Sequence, residues 1–165
     1  MAEFEGLVKT NMQRAYYSAL GIIGSHDVAM ELSQEAFIRA YRHFKKFDRE
    51  KKFFTWYYKI LRNLCFNFIR DNKNKVSSDY LEQAKYTSDE SNPANELEKQ
   101  EIHEHLEKAM SELSGDDREI ITLKEFENMS YQEIADTLDI PIGTVMSRLY
   151  YARKKLAKKL QEVMA

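Results

Sequence analysis

Apolar residues recur every three or four positions along nearly the whole chain, the spacing of a buried helical face. Phe4, Val8, Met12, Ala15, Ala19 and Ile23 form a first stripe, closed by Gly21 and Gly24. Ala29, Leu32, Ala36, Ala40 and Phe44 form a second, with Phe37 and Tyr41 beside it. Tyr57, Ile60, Leu61, Leu64 and Phe68 form a third, which ends before Asp71-Asn72. Three such helices can share one core. The pattern fails over residues 75–94, KVSSDYLEQAKYTSDESNPA, a polar, Ser- and acid-rich composition typical of linkers. Pro93 suits the first turn of a new helix. Leu97, Ile102, Leu106, Met110 and Leu113 carry that helix to Ser114-Gly115, and Ile120, Ile121, Leu123 and Phe126 follow. The expectation is an all-α chain of two small helical domains, residues 1–74 and 95–165. A flexible acidic linker, 75–94, joins them. The first domain has three to four helices and the second contains a helix-turn-helix.

Composition narrows this further. In 165 residues there are five Gly and two Pro, too few for a turn-rich β protein. The single Cys65 lies beside the third stripe as a core thiol and excludes an internal disulfide or a cysteine-rich zinc site. No apolar run reaches the length of a membrane span, and the chain is polar within three residues of its start, so no secretion signal is expected. A reducing, cytoplasmic setting fits. His103-x-His105 places its rings on different faces of a helix, and His26 and His43 stand alone, so no metal site is expected. Neither a glycine-rich phosphate loop nor a pair of catalytic carboxylates is present. No cofactor and no enzymatic activity are expected.

The net charge of −2 first argues against nucleic acid. Its distribution reverses that. Residues 36–75 sum to +9, residues 76–101 to −5, residues 102–144 to −8 and residues 145–165 to +5. Charge is segregated along the chain, and segregated blocks mark surfaces.

Residues 129–153 read MSYQEIADTLDIPIGTVMSRLYYAR. Ser130-x-x-Glu133 is a capping box that satisfies orphan amides at a helix start. Ile134, Ala135 and Leu138 form the buried face of a short helix. Asp139 follows where a left-handed residue is often needed, and Asp tolerates that conformation. Pro141 pre-sets the next helix, whose core stripe is Val145, Leu149, Ala152 and Leu156. Its opposite face carries Gly143, Ser147, Tyr151 and Lys154, flanked by Thr144 and Tyr150. This is the pattern of a helix-turn-helix, whose second helix enters the major groove. A plain helical hairpin is the alternative.

Residues 44–70 read FKKFDREKKFFTWYYKILRNLCFNFIR, where aromatic and basic side chains interleave. Phe53, Phe54, Trp56, Tyr57 and Tyr58 follow Lys51-Lys52, and Lys59, Arg62 and Arg70 line the helix beyond. Tyr57 and about half of the aromatics belong to the core. The remainder can stack on unpaired bases while cations neutralise phosphate. Asn63, one turn beyond Lys59, can bond a base edge.

With both motifs in one chain, the sequence resembles the extracytoplasmic-function sigma factors, the minimal bacterial transcription initiation subunits. DVAMELSQEAFIRAY at 27–41 is similar to the family's polymerase-binding helix. The stretch from Phe47 through Thr55-Trp56 to Arg62-Asn63 is similar to its −10 loop and helix, and SYQEIADTLDIPIGTVMSRLYYAR to its −35 reader. The resemblance implies that Asp27, Glu31, Gln34 and Glu35 face the β′ clamp helices of bacterial core RNA polymerase. Phe47, Lys51, Lys52, Phe53 and Phe54 would form the loop around a flipped −10 base, with Trp56, Lys59 and Asn63 beside it. Lys124, Ser130, Tyr131, Pro141, Gly143 and Thr144 would face −35 DNA. So would Met146, Ser147, Tyr150, Tyr151 and Lys154. An anti-sigma factor is implied as a further partner. The free protein is expected to be a monomer without membrane insertion.

Three positions depart from the family pattern. Met146 stands where Lys or Arg is usual, removing a base contact of roughly 1–3 kcal/mol. Ser114-Gly115-Asp116 replaces a Leu-Pro start, and Asp139 replaces a common Gly. The alternative to a sigma factor is a dimeric helix-turn-helix regulator that binds duplex DNA tightly without polymerase.

Energetics favour dependence on a large partner. Opening a duplex step costs about 1.4 kcal/mol, and a stacked flipped base returns about 1–3 kcal/mol. One or two such bases offset only a few steps. Weak binding of the free chain to duplex promoter is expected, either from an extended form or from a compact one in which each domain covers the other's DNA face.

Overall fold

A computed structural model describes residues 1–72 and 93–165. Among these residues there are seven α-helices and no strand. In chain order they are α1 (Ala2–Ile23), α2 (His26–Arg42), α3 (Phe53–Asp71), α4 (Pro93–Ser111), α5 (Gly115–Ile121), α6 (Tyr131–Leu138) and α7 (Ile142–Met164). A short 3-10 turn, Phe44–Lys46, follows α2, and a π-helical turn, Thr122–Phe126, follows α5. The expected linker lies outside the described residues apart from Pro93 and Ala94, which already belong to α4.

Local sequence accounts for most helix ends. α1 stops at Gly24, whose φ of 76° is the left-handed cap that glycine supplies without strain. Gly21, read as part of the same stop, sits instead inside α1. A Cβ there would come 2.4 Å from Thr122 Oγ1, so this glycine permits a close approach of the two halves of the chain. Ser25 Oγ accepts from Val28 N–H at the start of α2, and Ser114 Oγ from Asp117 N–H at the start of α5.

Helices α1, α2 and α3 pack against one another around Ala15, Ala19, Ile22, Ala36, Tyr57 and Leu61. Tyr57 stacks on Phe37 with ring centroids 4.3 Å apart and donates its hydroxyl to Ser33 O at 2.9 Å. In the C-terminal half, α7 lies against α4, α5 and α6. Val145, Leu149 and Ala152 on α7 meet Ile120, Leu123 and Ile134 in its core. Several stripe residues fall outside the core: Met12, Tyr41, Leu97, Ile102 and Phe126 are exposed.

The two halves pack together through one continuous apolar cluster, and buried polar contacts cross between them. Glu119 of α5, only 2% exposed, accepts from the Tyr58 hydroxyl at 2.7 Å and from Arg62 Nε at 2.8 Å. Arg118, also buried, donates Nε and Nη2 to the Ile22 carbonyl at 3.1 and 2.8 Å, near the end of α1. Arg14 of α1 pairs with Glu127 at 2.8 Å and lies over the Phe54 ring. Burial pushes the Glu119 carboxyl up, and Arg62 and the Tyr58 hydroxyl oppose that only in part.

Candidate nucleic-acid interface

The helix-turn-helix is built as its local signals dictate. Ser130 Oγ accepts from Glu133 N–H at 3.1 Å, the first half of the capping box. The Glu133 carboxylate turns outward and stands 3.9 Å from Lys52 Nζ of the N-terminal half. Asp139 is left-handed, with φ 57° and ψ 49°. Pro141 is the residue before α7, with φ −61°, and Ile142 opens the helix.

With Val145, Leu149 and Ala152 buried, the opposite face of α7 is open to solvent. Gly143, Ser147 and Lys154 are exposed there, and Thr144 is half-buried. Met146, Tyr150 and Tyr151 are 53, 55 and 59% exposed. Two other expected DNA-facing residues have internal work. Lys124 Nζ donates to Met129 O at 3.2 Å and lies 4.7 Å from the centre of the half-buried Tyr131 ring. The Ser130 hydroxyl caps α6. Cations Arg148, Lys154, Lys155 and Lys158 stand exposed along α7.

In the N-terminal half, residues 47–52 form a braced loop. Glu50 N–H donates to Asp48 Oδ1 at 3.0 Å, closing a small side-chain turn. Arg49 Nη1 donates to the carbonyls of Phe44 and Phe47 at 3.3 and 3.1 Å, and Nε to Glu3 at 3.3 Å. Phe47, Phe53 and Phe54 are buried, which departs from their expected place around a flipped base. Phe47 and Phe53 pack edge to face at 5.7 Å, with Trp56 half-buried beside both. These rings hold the loop rather than present a free face. Lys51, Lys52, Lys59 and Asn63 are exposed, the last two one turn apart on α3.

On α2, Asp27, Glu31 and Gln34 are exposed and Glu35 is half-buried, with its carboxylate 3.0 Å from Arg39. Met30, Ile38 and Tyr41 lie exposed among them, so this helix shows an acidic face interrupted by apolar side chains.

The compact arrangement leaves Lys59 and Asn63 of α3 exposed. Helix α6 packs on α3, and Asn11, Arg14, Lys52, Phe53, Phe54 and Glu133 line the cleft between the halves. The outward face of α7 remains open. The residues that hold the halves together, Arg62, Arg118 and Glu119, carried no sequence signal as a set. Arg62 and Glu119 are 57 positions apart.

No helix among the described residues is long and apolar enough to cross a membrane. Nor does any group of three or more His, Cys, Asp or Glu among them converge as a metal site.

Comparison with known proteins follows the same division. Residues 7–75 match the family model of sigma-70 region 2, and residues 103–156 that of sigma-70 region 4. The chain is 32% identical over 142 residues to the ECF RNA polymerase sigma-E factor of Haemophilus influenzae, covering 81% of this chain and 75% of that one. It is 34% identical over 149 residues to the RNA polymerase sigma-H factor of Pseudomonas aeruginosa, covering 84% and 77%. Among solved structures it resembles the sigma factor RpoE from Bartonella quintana, crystallised with the anti-sigma factor NepR. That match has a TM-score of 0.73 at 24% identity over 98% of both chains. It also resembles CnrH in complex with the cytosolic domain of CnrY, with a TM-score of 0.68 at 22% identity over 96% of this chain and 88% of that one.

Proposed function

This chain belongs to the extracytoplasmic-function sigma factors of the sigma-70 family, and from that premise we propose that it binds bacterial core RNA polymerase and directs it to promoters. Residues 1–74 act as the polymerase- and −10-binding domain. Residues 95–165 act as the −35-binding domain, and 75–94 as the linker between them. The observation that carries this reading is the pairing of two solvent-facing polar surfaces with exposed cations on separate halves of one chain. One is α7 from Gly143 to Lys154, and the other is Lys51 and Lys52 of the loop with Lys59 and Asn63 of α3.

Asp27, Glu31, Gln34 and Glu35 meet the β′ clamp helices. The exposed carboxylates of Asp27 and Glu31 suit a basic partner, and Met30, Ile38 and Tyr41 supply apolar area for a stable contact. Lys59 and Asn63 meet the non-template strand. Lys51 and Lys52 neutralise phosphate at the loop, and its buried rings reach a base only if the loop opens. On α7, Gly143, Met146, Ser147 and Tyr150 face bases, while Thr144, Tyr151 and Lys154 face sugar and phosphate. Lys124, Ser130, Tyr131 and Pro141 position the reader and touch backbone at its edge. The role is binding and duplex opening in the cytoplasm, with no chemical step of its own.

Packing of α6 on α3 supports regulation by conformation, since the −10 loop is approached by Glu133 in this form. An anti-sigma factor would act by holding the chain away from polymerase; the similar RpoE structure was solved in complex with one. The free chain acts as a monomer.

Run-off transcription with bacterial core polymerase and a promoter library tests the reading. Promoter-dependent transcripts that require this chain are expected. Their absence from every sequence sinks it.

A further inference from the structure

We propose that α7 selects thymine, reading its 5-methyl group in the major groove through Met146 and Tyr150. The proposal rests on the assignment of α7 as the −35 reader and adds the class of base that it takes.

A guanine or adenine is read best by a planar group that bonds two atoms of its edge at once: Arg or Lys for guanine, Asn or Gln for adenine. The outward face of α7 offers Gly143, Met146, Ser147, Tyr150 and Tyr151, none of which can do this, and Lys154. The Ser147 hydroxyl already donates to the Thr144 carbonyl at 3.1 Å. Nearby cations are placed for other tasks. Arg153 is paired with Glu125, and Lys154 lies 4.9 Å from the centre of the Tyr150 ring. Arg148 precedes the buried Leu149 and flanks the core side of the helix.

What the reading face does present is apolar. Ile142, Met146 and Tyr150 follow one another at four-residue spacing and form an exposed stripe along the first turns of α7. Met146 and Tyr150 border a shallow groove of about 410 Å³ together with Tyr131, Leu149 and Ala157, with Arg153 and Lys154 at its edge, a largely apolar seat wide enough for a methyl group. The thymine methyl is the apolar feature of the major groove, and covering it removes both surfaces from water. Gly143 faces open space where a Cβ would sit, so the helix start can approach the base edges closely. Arg153 and Lys154 border the same groove, which favours a polyanion over a protein as its cover.

The spacing gives a register. Four residues advance about 6 Å along a helix axis, and bases step by about 3.4 Å along a strand. Met146 and Tyr150 would therefore meet methyl groups about two steps apart.

The test uses the full chain with bacterial core polymerase. Templates randomised through the −35 region are selected for transcription, and each thymine of the selected element is then replaced by uracil. That exchange deletes the methyl and keeps the hydrogen-bonding edge. Two thymines about two steps apart are expected. Each uracil should lower initiation about fourfold, the value of one buried methyl. In Met146→Ala the penalty at one of the two positions should vanish.

A selected −35 element insensitive to uracil overturns methyl reading but leaves α7 as the reader. Polymerase-dependent transcription with no −35 selection overturns that assignment and the proposal with it. A uracil penalty unchanged in both Met146→Ala and Tyr150→Ala also overturns it, because another group then reads the methyls.

Discussion

Removing the Glu119 side chain should release the two halves of the molecule from each other. In the compact form this carboxylate accepts from the Tyr58 hydroxyl at 2.7 Å and from Arg62 Nε at 2.8 Å. In Glu119→Ala the Tyr58 hydroxyl, itself buried, is left without that acceptor, at a cost of about 1–3 kcal/mol. Arg62 loses less, because its side chain is 30% exposed and Asp116 stands 3.7 Å away; solvent screening discounts its share. A total of about 3 kcal/mol follows, or roughly two orders of magnitude in the ratio of compact to open forms. Small-angle scattering should report a larger radius, and dyes placed on α2 and α7 should report a longer separation.

Acidity gives a second handle on the same group. The Glu119 carboxyl is raised in the compact form by burial, so that form holds its proton more readily than the open one. This contribution to closure is fully present below the ordinary carboxylate range and is lost as pH rises through the raised value. Glu119→Gln keeps an acceptor for Tyr58 and should remove the pH dependence while opening the molecule less than alanine does. An unchanged scattering profile for Glu119→Ala would refute the whole account of the interface.

Other outcomes bear on the binding surfaces and the core. Asn63→Ala should slow open-complex formation and leave core polymerase affinity unchanged; equal loss in both assays would remove Asn63 from the −10 contact. Met146→Arg should shift −35 selection toward guanine by about 1–3 kcal/mol, and an unchanged preference would show that position 146 faces no base. Cys65 is fully buried and its thiol is pushed up to about 12 by burial, then by Glu119. It should therefore resist a thiol reagent at pH 8 until denaturant unfolds α3, and rapid native labelling would contradict the packing.

Sequence spoke most clearly where the deciding forces act over one helical turn. The Ser130 cap, the left-handed Asp139 and the Val145, Leu149, Ala152 stripe each depend on neighbours three or four residues away, and each stands where the pattern put it. It spoke less clearly about Phe53 and Phe54. Their aromatic-basic setting reads equally as a base-stacking surface or as a core, and only the placement of Phe47 and Trp56 around Phe53 decides for the core. Met12, Leu97 and Ile102 kept helical spacing yet ended exposed, because periodicity says which residues share a face and not whether anything covers it. The Arg62 and Glu119 pair was out of reach altogether. Nothing local distinguishes two charged residues on separate helices from ordinary solvated ones until the helices meet.

Arg118 has a bearing on how the molecule could come apart. Its guanidinium closes a carbonyl in the last turn of α1, a group that would otherwise rely on water or its own strand of chain. The helix terminus of one half is thus finished by a side chain from the other. Pulling the halves apart strips that terminus and takes the Ile22 acceptor from Arg118, which keeps the Leu113 carbonyl, in the same event. Opening should be cooperative, and amide hydrogen exchange should show the final turn of α1 and the whole of α5 exchanging as a single foldon with one free energy.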